Sequence, residues 1–402
     1  MKTQLNVTAL FGGIGGMEEG LHHSGHATTL FCENDADATA VLAKRFPNVP
    51  INFDVRKTAA LAADIHPASD LLTAGFPCTD LSQAGRTQGF DGPHSNLVRK
   101  VFDLLTLRPF ARVLIENVLN WRFLHGGRYL TEVVEALESH GYRWAYRVID
   151  AQAFGLPQRR LRIFLYATQE GDPREAIFHG NESPVDHTYS LRDAAHGFYW
   201  TEGNKGLGWG EDCVPTLKGG SSVGIPAAPA ILLTDGSIVT PDLEDGERLQ
   251  GFESGWTDVS QTLPFFGERL FNQRKRWRLI GNAVNVAVSK WVGEQLAAPK
   301  KWDGPEGVLM ERGAKWPAAA WFDGRVRRQL DLTPWPVNYP RVGLESFLSK
   351  GGRLLSRRAT TGFYQRISKS PLRISGEFKE AVSRHVDRME RLEGNRLLTA
   401  AE

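Results

Sequence analysis

The segment Thr73–Gly85, TAGFPCTDLSQAG, puts a lone cysteine in an unusual place. Free cysteine usually behaves as a small core hydrophobe. Here the apolar run Asp70–Ala74 reads as a short buried strand that Gly75 and Pro77 bring to an end. Cys78 therefore falls just past a strand's carboxyl end, where open α/β sheets bind ligands. Position alone weighs reaction and structure evenly for this thiol.

A second chemical feature lies near the start. Ala9–Gly16, ALFGGIGG, is a glycine-rich turn between the first apolar run and the first helical stretch. Glycines there let backbone approach a ligand, and a helix amino end favours polar or negative groups. Glu33 ends the next apolar run, 20 residues after Gly13. A carboxylate at that spacing suits ribose hydroxyls. The pattern is shared by NAD, FAD and S-adenosylmethionine proteins. His22 and His26 have helical i, i+4 spacing, but Gly25 intervenes and no third ligand is near, so they read as solvated surface residues and no metal site is expected.

These groups need a scaffold. Over the first 170 residues, strand-like runs (NVTALF, ATTLFCEN, DLLTA, ARVLIENV) alternate with helical stretches (GMEEGLHHSG, DADATAVLAKRF, RYLTEVVEALESHG, the last closed by Gly141). YRWAYRVID and RLRIFLYAT complete the set. That alternation predicts βαβ units and a parallel sheet covered on both faces. Residues 171–240 then hold 11 glycines and lose the helical period, which predicts an inserted, loop-rich β region. Helical periodicity returns at Asn282–Leu296.

At 402 residues and 41% hydrophobic, the chain has room for two or three domains. Three cysteines are too few for a disulfide framework, and no apolar run of about 18 residues or signal segment is evident, which predicts a reducing cytoplasmic setting. Net charge is +2, yet residues 301–402 carry 19 Lys/Arg against 12 Asp/Glu. The run Arg341–Arg373 reads equally as solvated surface and as a polyanion-facing segment.

Taken in order, LFGGIGGMEEGL, CEND, FDV, GFPCTDLSQAGR, LIENV, GLPQRRLRIFLYA, RLQGF and LIGNAVNVAVSKWV resemble the DNA cytosine-C5 methyltransferases, especially those of bacterial restriction–modification systems. These pieces span residues 10–292. The resemblance implies an α/β, Rossmann-like, S-adenosyl-L-methionine-dependent methyltransferase sheet with an inserted β target-recognition domain and a C-terminal extension. It divides the chain into a catalytic domain of residues 1–168 completed by 271–299, a target-recognition region of residues 169–270, and an extension of residues 300–402. It also implies methylation of a flipped-out cytosine in double-stranded DNA by a nucleoid-associated monomer, with a cognate restriction endonuclease as a further partner. An RNA-directed relative and a non-catalytic DNA-binding homologue are the alternatives.

Roles carry over residue by residue. Cys78 resembles the nucleophile, Glu116 the carboxyl partner of the base, and Arg160 and Arg162 the guanidinium pair, Arg160 rather orienting neighbours or phosphate. Phe11, Gly12, Gly13, Gly15 and Gly16 resemble the cofactor loop, Glu33 the ribose ligand, Asn34 the adenine neighbour, and Asp54 with Val55 the adenine edge. Pro77, Leu97, Asn282 and Val284 close that pocket. Ser82, Gln83, Gly85 and Arg86 fall in a loop expected to close over DNA, and Thr216 in VPTLKGG is expected at the DNA. Trp200, Trp209, Lys205 and Lys218 are weighed as DNA contacts or core, and Arg274–Arg278 (RKRWR) reads as a phosphate rail. Two positions depart from the pattern. Ala9 stands where an acid is common, and Thr79 where glutamine is; both predict altered cofactor affinity with activity retained.

Overall fold

Branched and apolar side chains in the first five short runs bury both faces, and each run becomes a strand. These are β1 (Asn6–Leu10), β2 (Ala27–Cys32), β3 (Ile51–Asn52), β4 (Leu71–Ala74) and β5 (Arg112–Val118). They lie parallel in the order β3-β2-β1-β4-β5. The computed structural model describes residues 3–76, 95–184, 188–220, 228–259, 272–311 and 313–399. The expectations for Pro77, Cys78, Ser82, Gln83, Gly85 and Arg86 lie outside the described residues.

Helices α1 (Gly16–His23), α2 (Ala36–Arg45), α3 (Thr58–Asp64) and α4 (Ser95–Leu107) connect these strands. Asp35 caps α2 by accepting hydrogen bonds from the Asp37 and Ala38 N–H groups. Helix α5 (Arg128–Ser139) ends just before Gly141, which takes φ 80°. One sheet face is covered by α4 and α5 through Val101, Leu104, Leu130, Val133 and Leu137. The other packs on Met17 and Leu21 of α1 and on Val288, Trp291 and Val292 further along the chain.

The all-parallel expectation holds for only half of the sheet. β6 (Arg143–Asp150), β7 (Gln158–Arg159) and β8 (Leu161–Thr168) follow, and β8 runs antiparallel between β5 and β6. Residues 151–160 are too short for a helical crossover, so β6 and β8 must run in opposite directions.

The glycine-rich insertion supplies β9 (His196–Phe198), β10 (Gly210–Glu211), β11 (Val214–Pro215), β12 (Ala230–Leu232) and β13 (Ile238–Thr240). Next come α6 (Gln273–Asn282) and α7 (Val286–Ala297), so Asn282 ends one helix rather than starting the next. Asn285 makes the break by capping α7 through the Ala287 and Val288 N–H groups. No helix among the described residues is long and apolar enough to cross a membrane.

Beyond residue 300 the chain joins both sheets. β14 (Val308–Leu309), β15 (Ala319–Phe322) and β16 (Arg327–Leu330) extend the central sheet past β6 to ten strands, and β17 (Arg353–Leu354) pairs with β13 of a separate five-stranded sheet. Helices α8 (Arg357–Lys369) and α9 (Gly376–Thr399) cover that smaller sheet, with Phe363 stacked on Phe198 at 5.0 Å.

The basic run is largely paired within the chain. Arg341 meets Asp212, Lys350 meets Glu244, Arg353 meets Asp242 and Arg357 meets Glu393. Arg366 donates to the Trp200 and Glu202 carbonyls. These five cations hold the extension to its surroundings, which reduces the expected polyanion-facing surface. Trp209 and Trp200 pack into the smaller core, and Lys218 pairs with Glu202.

Because Phe363 is fully buried between the extension and the insertion, Phe363→Ala should lower stability by about 3–5 kcal/mol. A lower urea midpoint with unchanged slope checks it.

Candidate active site

Three segments converge at the carboxyl ends of β1 and β4. The turn after β1 bends sharply, with positive φ at Phe11, Gly13 and Gly15. The Phe11 ring meets Phe76 edge to face at 6.4 Å. Val284, from the break between α6 and α7, reaches the same place. A Cβ on Gly75 would lie 3.7 Å from its Cγ2, and a Cβ on Gly16 only 2.2 Å from its carbonyl oxygen. Gly12 and Gly15 are likewise filled from the protein side, by Phe31 and Phe46. Gly13 alone in this turn faces open space. Most of these glycines therefore allow close packing, and the turn offers a ligand its backbone.

The far wall of this notch is acidic. Glu33 accepts the Gly13 N–H at Oε2 and the Asp35 N–H at Oε1, both at 2.8 Å. Burial pushes its carboxyl up, opposed by those N–H groups. Asn34 is exposed beside it and Val55 is buried, so Val55 offers only main chain. Asp54 accepts Arg56 Nε at 2.7 Å, which holds its carboxyl low. Leu97 packs against the core under Phe11.

At the end of β5, Glu116 is 8% exposed and lies 3.1 Å from Arg162 Nε on β8. Register explains the contact: Arg162 pairs with Val118, two positions from Glu116 on the same face. Burial pushes the Glu116 carboxyl up, and the guanidiniums of Arg162 and Arg160 oppose that rise. Its Oε1 makes no hydrogen bond. The neighbouring Asn117 donates to the Phe76 carbonyl at 3.5 Å, tying this strand end to the residue before Pro77.

Arg160 turns inward instead. Its guanidinium donates to Leu217 O at 3.0 Å, Ala283 O at 2.7 Å and Gly281 O at 3.4 Å. Asp150 accepts its N–H at 2.9 Å. Gln158 donates to Leu249 O and accepts Leu217 N–H, and Gln250 donates to Ile280 O. The sequence motifs QRRLR and RLQGF contain these buried positions, but spacing could not say what each side chain would grip.

Several expected residues face elsewhere. The Thr216 hydroxyl donates to Arg159 O at 2.8 Å, holding the insertion to β7. Asn282 packs against Gly219, where a Cβ would come within 2.0 Å of its Oδ1. The expected phosphate rail Arg274–Arg278 is reduced, because Lys275 meets Asp37, Arg276 meets Glu247, Arg278 bridges Asp35 and Asp37, and Trp277 is buried, leaving Arg274 exposed. His26 is buried, accepting Leu5 N–H and bonding Gly293 O, rather than solvated. No metal-binding cluster of His, Cys, Asp or Glu occurs among the described residues.

The model of the C-5 cytosine-specific DNA methylase family matches residues 5–202. The type II methyltransferase M2.BsuMI of Bacillus subtilis (strain 168) is 42% identical over 400 residues, 96% of this chain and 99% of that protein. The chain belongs to the C-5 cytosine-specific DNA methylases. A second relative of this methylase, the type II methyltransferase M.DsaV of Dactylococcopsis salina, is 30% identical over 73% of this chain and 86% of its own length. In fold, the crystal structure of S. pombe Dnmt2 methyltransferase aligns with a TM-score of 0.55 at 15% identity, covering 73% of this chain and 98% of that one. That likeness fits a Rossmann-like methyltransferase sheet.

The methylase's substrate is DNA and its cofactor S-adenosyl-L-methionine. The notch fits that cofactor: Gly13 leaves open space, and Glu33 keeps unused lone pairs beside exposed Asn34.

Gly16→Ala drives a methyl into the Val284 carbonyl, whereas Gly13→Ala meets no atom and adds only backbone strain of about 1–2 kcal/mol. Calorimetry should show cofactor binding lost in the first and weakened in the second. Cys32 and Cys213 are buried, which pushes their thiols up to about 12 and about 11. Iodoacetamide at neutral pH should leave both unmodified in the folded methylase, and peptide mass spectrometry should find them labelled only after unfolding.

Proposed function

We propose that this methylase modifies C5 of a flipped-out cytosine through a covalent bond from Cys78 to C6, protecting a specific DNA site in a type II restriction–modification system. The buried Glu116–Arg162 pair carries the reading. It supplies an acid and a cation at one strand end, and Cys78 follows Phe76, which Asn117 holds to that strand, by two residues.

Cytosine C5 is a weak nucleophile while the ring is aromatic. The Cys78 thiolate adds to C6, forming an S–C6 bond and moving electrons toward N3 and O2. Glu116, whose carboxyl burial pushes up, gives N3 a proton in its protonated form, and Arg162 balances charge at O2. C5 is then electron-rich. S-adenosyl-L-methionine, when bound, supplies the methyl group. Water takes the C5 proton, the C5–H electrons form C5=C6, the S–C6 bond breaks to release the thiolate, and N3 returns its proton to Glu116. Arg160 supports this geometry from behind, through the carbonyls it holds.

A stacked base exposes neither atom to such a site, so the target must leave the duplex. Residues 82–94 serve as the closing loop and residues 169–270 as the target reader, with the catalytic domain formed by residues 1–168 and 271–299. The 42% identity with M2.BsuMI over nearly the whole of both chains supports the restriction–modification role. The methylase acts as a monomer, and an endonuclease of the same specificity is its functional partner.

Bisulfite sequencing of DNA from cells making the chain should reveal one methylated motif, absent with Cys78→Ala. With 5-fluorocytosine at that motif, a denaturation-resistant adduct should form on Cys78; its absence refutes the covalent route. Glu116→Gln should lower kcat by about 10²–10⁴-fold with DNA affinity retained. The raised Glu116 carboxyl stays protonated to higher pH, so loss of that proton should give wild-type kcat an alkaline limb, while protonation of the Cys78 thiolate gives the acidic limb. Glu116→Gln should flatten the alkaline limb.

A further inference from the structure

Glu18 is a buried acid to which the chemistry above gives no task. It lies in the first turn of α1, just past the glycine turn, and is 2% exposed. Its Oε1 accepts the Thr73 hydroxyl at 2.8 Å. Its Oε2 is buried and makes no hydrogen bond. Thr73 is registered with Ala9 on one side and Leu114 on the other. Strand residues two apart share a face, so Glu18 lies on the Glu116 side of the sheet, one strand across and beneath the cofactor turn. Ala9 contributes only a methyl there.

Among the described residues no Lys, Arg or His is paired with Glu18. On β5 the charged groups of that face are Arg112, which bonds Tyr166, and Glu116, which pairs with Arg162 of β8; Arg160, just before β8, is engaged with carbonyls. On its own helix, Glu19 pairs with His23, and α7 presents Lys290 and Glu294 at its outer surface. Burial pushes the Glu18 carboxyl up to about 7, with the Thr73 hydrogen bond opposing.

An ionised carboxylate buried without a counter-ion is costly, and the cost falls when a cation arrives. S-adenosyl-L-methionine brings one as its sulfonium, and the product S-adenosyl-L-homocysteine has a neutral thioether instead. We propose that Glu18 is the buried counter-charge of the cofactor site, selecting the sulfonium cofactor over its thioether product. Sparse solvent lets such a charge act over several ångströms without direct contact. The methyl transfer then removes the cation that Glu18 stabilises, which favours product exchange. This inference rests on the cofactor and is independent of the Cys78 chemistry, since it is read from binding alone.

Calorimetric titration of the full chain near pH 8 tests it with three ligands: S-adenosyl-L-methionine, S-adenosyl-L-homocysteine, and sinefungin, whose ammonium replaces the sulfonium. Glu18→Gln should weaken the two cationic ligands about tenfold and the neutral thioether less than about twofold. The ratio within one preparation is insensitive to an inactive fraction. Thr73→Val keeps the side-chain shape but removes the hydrogen bond that favours ionised Glu18. It should therefore lower the cationic preference at neutral pH and recover it as pH rises, a recovery that Glu18→Gln lacks. Equal weakening of all three ligands by Glu18→Gln, or no change in any, overturns the proposal.

Discussion

A buried guanidinium holding carbonyl oxygens organises this molecule. Among the described residues the Arg160 guanidinium makes no hydrogen bond to a carboxylate; its partners are main-chain oxygens of Leu217, Gly281 and Ala283. The first belongs to the glycine-rich insertion, Gly281 to the last turn of α6 and Ala283 to the break that follows. Each carbonyl left unsatisfied would cost about 1–3 kcal/mol. The same strand end carries Arg162, so one short stretch fixes the insertion, the Val284 side of the cofactor notch and the acid at Glu116. Gln158 and Gln250 reinforce the arrangement from the neighbouring turn.

The notch itself depends on absent side chains. Gly16 and Gly20 let α1 press against the main chain of Val284 and of α7, and any Cβ there would collide with backbone. Chain segments separated by more than 260 residues thus meet within van der Waals distance. Such packing accounts for a glycine pattern that also resembles a phosphate or ribose loop.

Much of this was legible in the sequence, for physical reasons. Alternating apolar runs and helical periods specify β1, β2, β4 and β5 and α1, α2 and α5, because much of each element is buried, whereas the two-residue β3 left no signal. Cys78, Glu116, Arg162 and the glycine turn stand out because their residue types are unusual at strand ends. The antiparallel half of the sheet was less legible, since it depends on connection length and on strands contributed from beyond residue 300. Charge was read least well. A run such as RKRWR specifies cations but not their partners, and Asp35, Asp37 and Glu247 are far away in sequence. The protein contacts of Thr216 and Asn282 were illegible for the same reason: a polar side chain can satisfy a nearby carbonyl or fill a gap as readily as bind a ligand.

The placement of β14 to β17 sets a timetable for the nascent chain. A ribosome must pass Leu330 before the central sheet gains its last three strands, and Leu354 before the smaller sheet gains its β17 edge. Pairings that distant in sequence close large loops and fold slowly. Until they close, the β6 and β13 edges present unpaired backbone during synthesis. Newly made chains therefore pass through an aggregation-exposed interval before the cofactor notch and insertion lie on a finished scaffold.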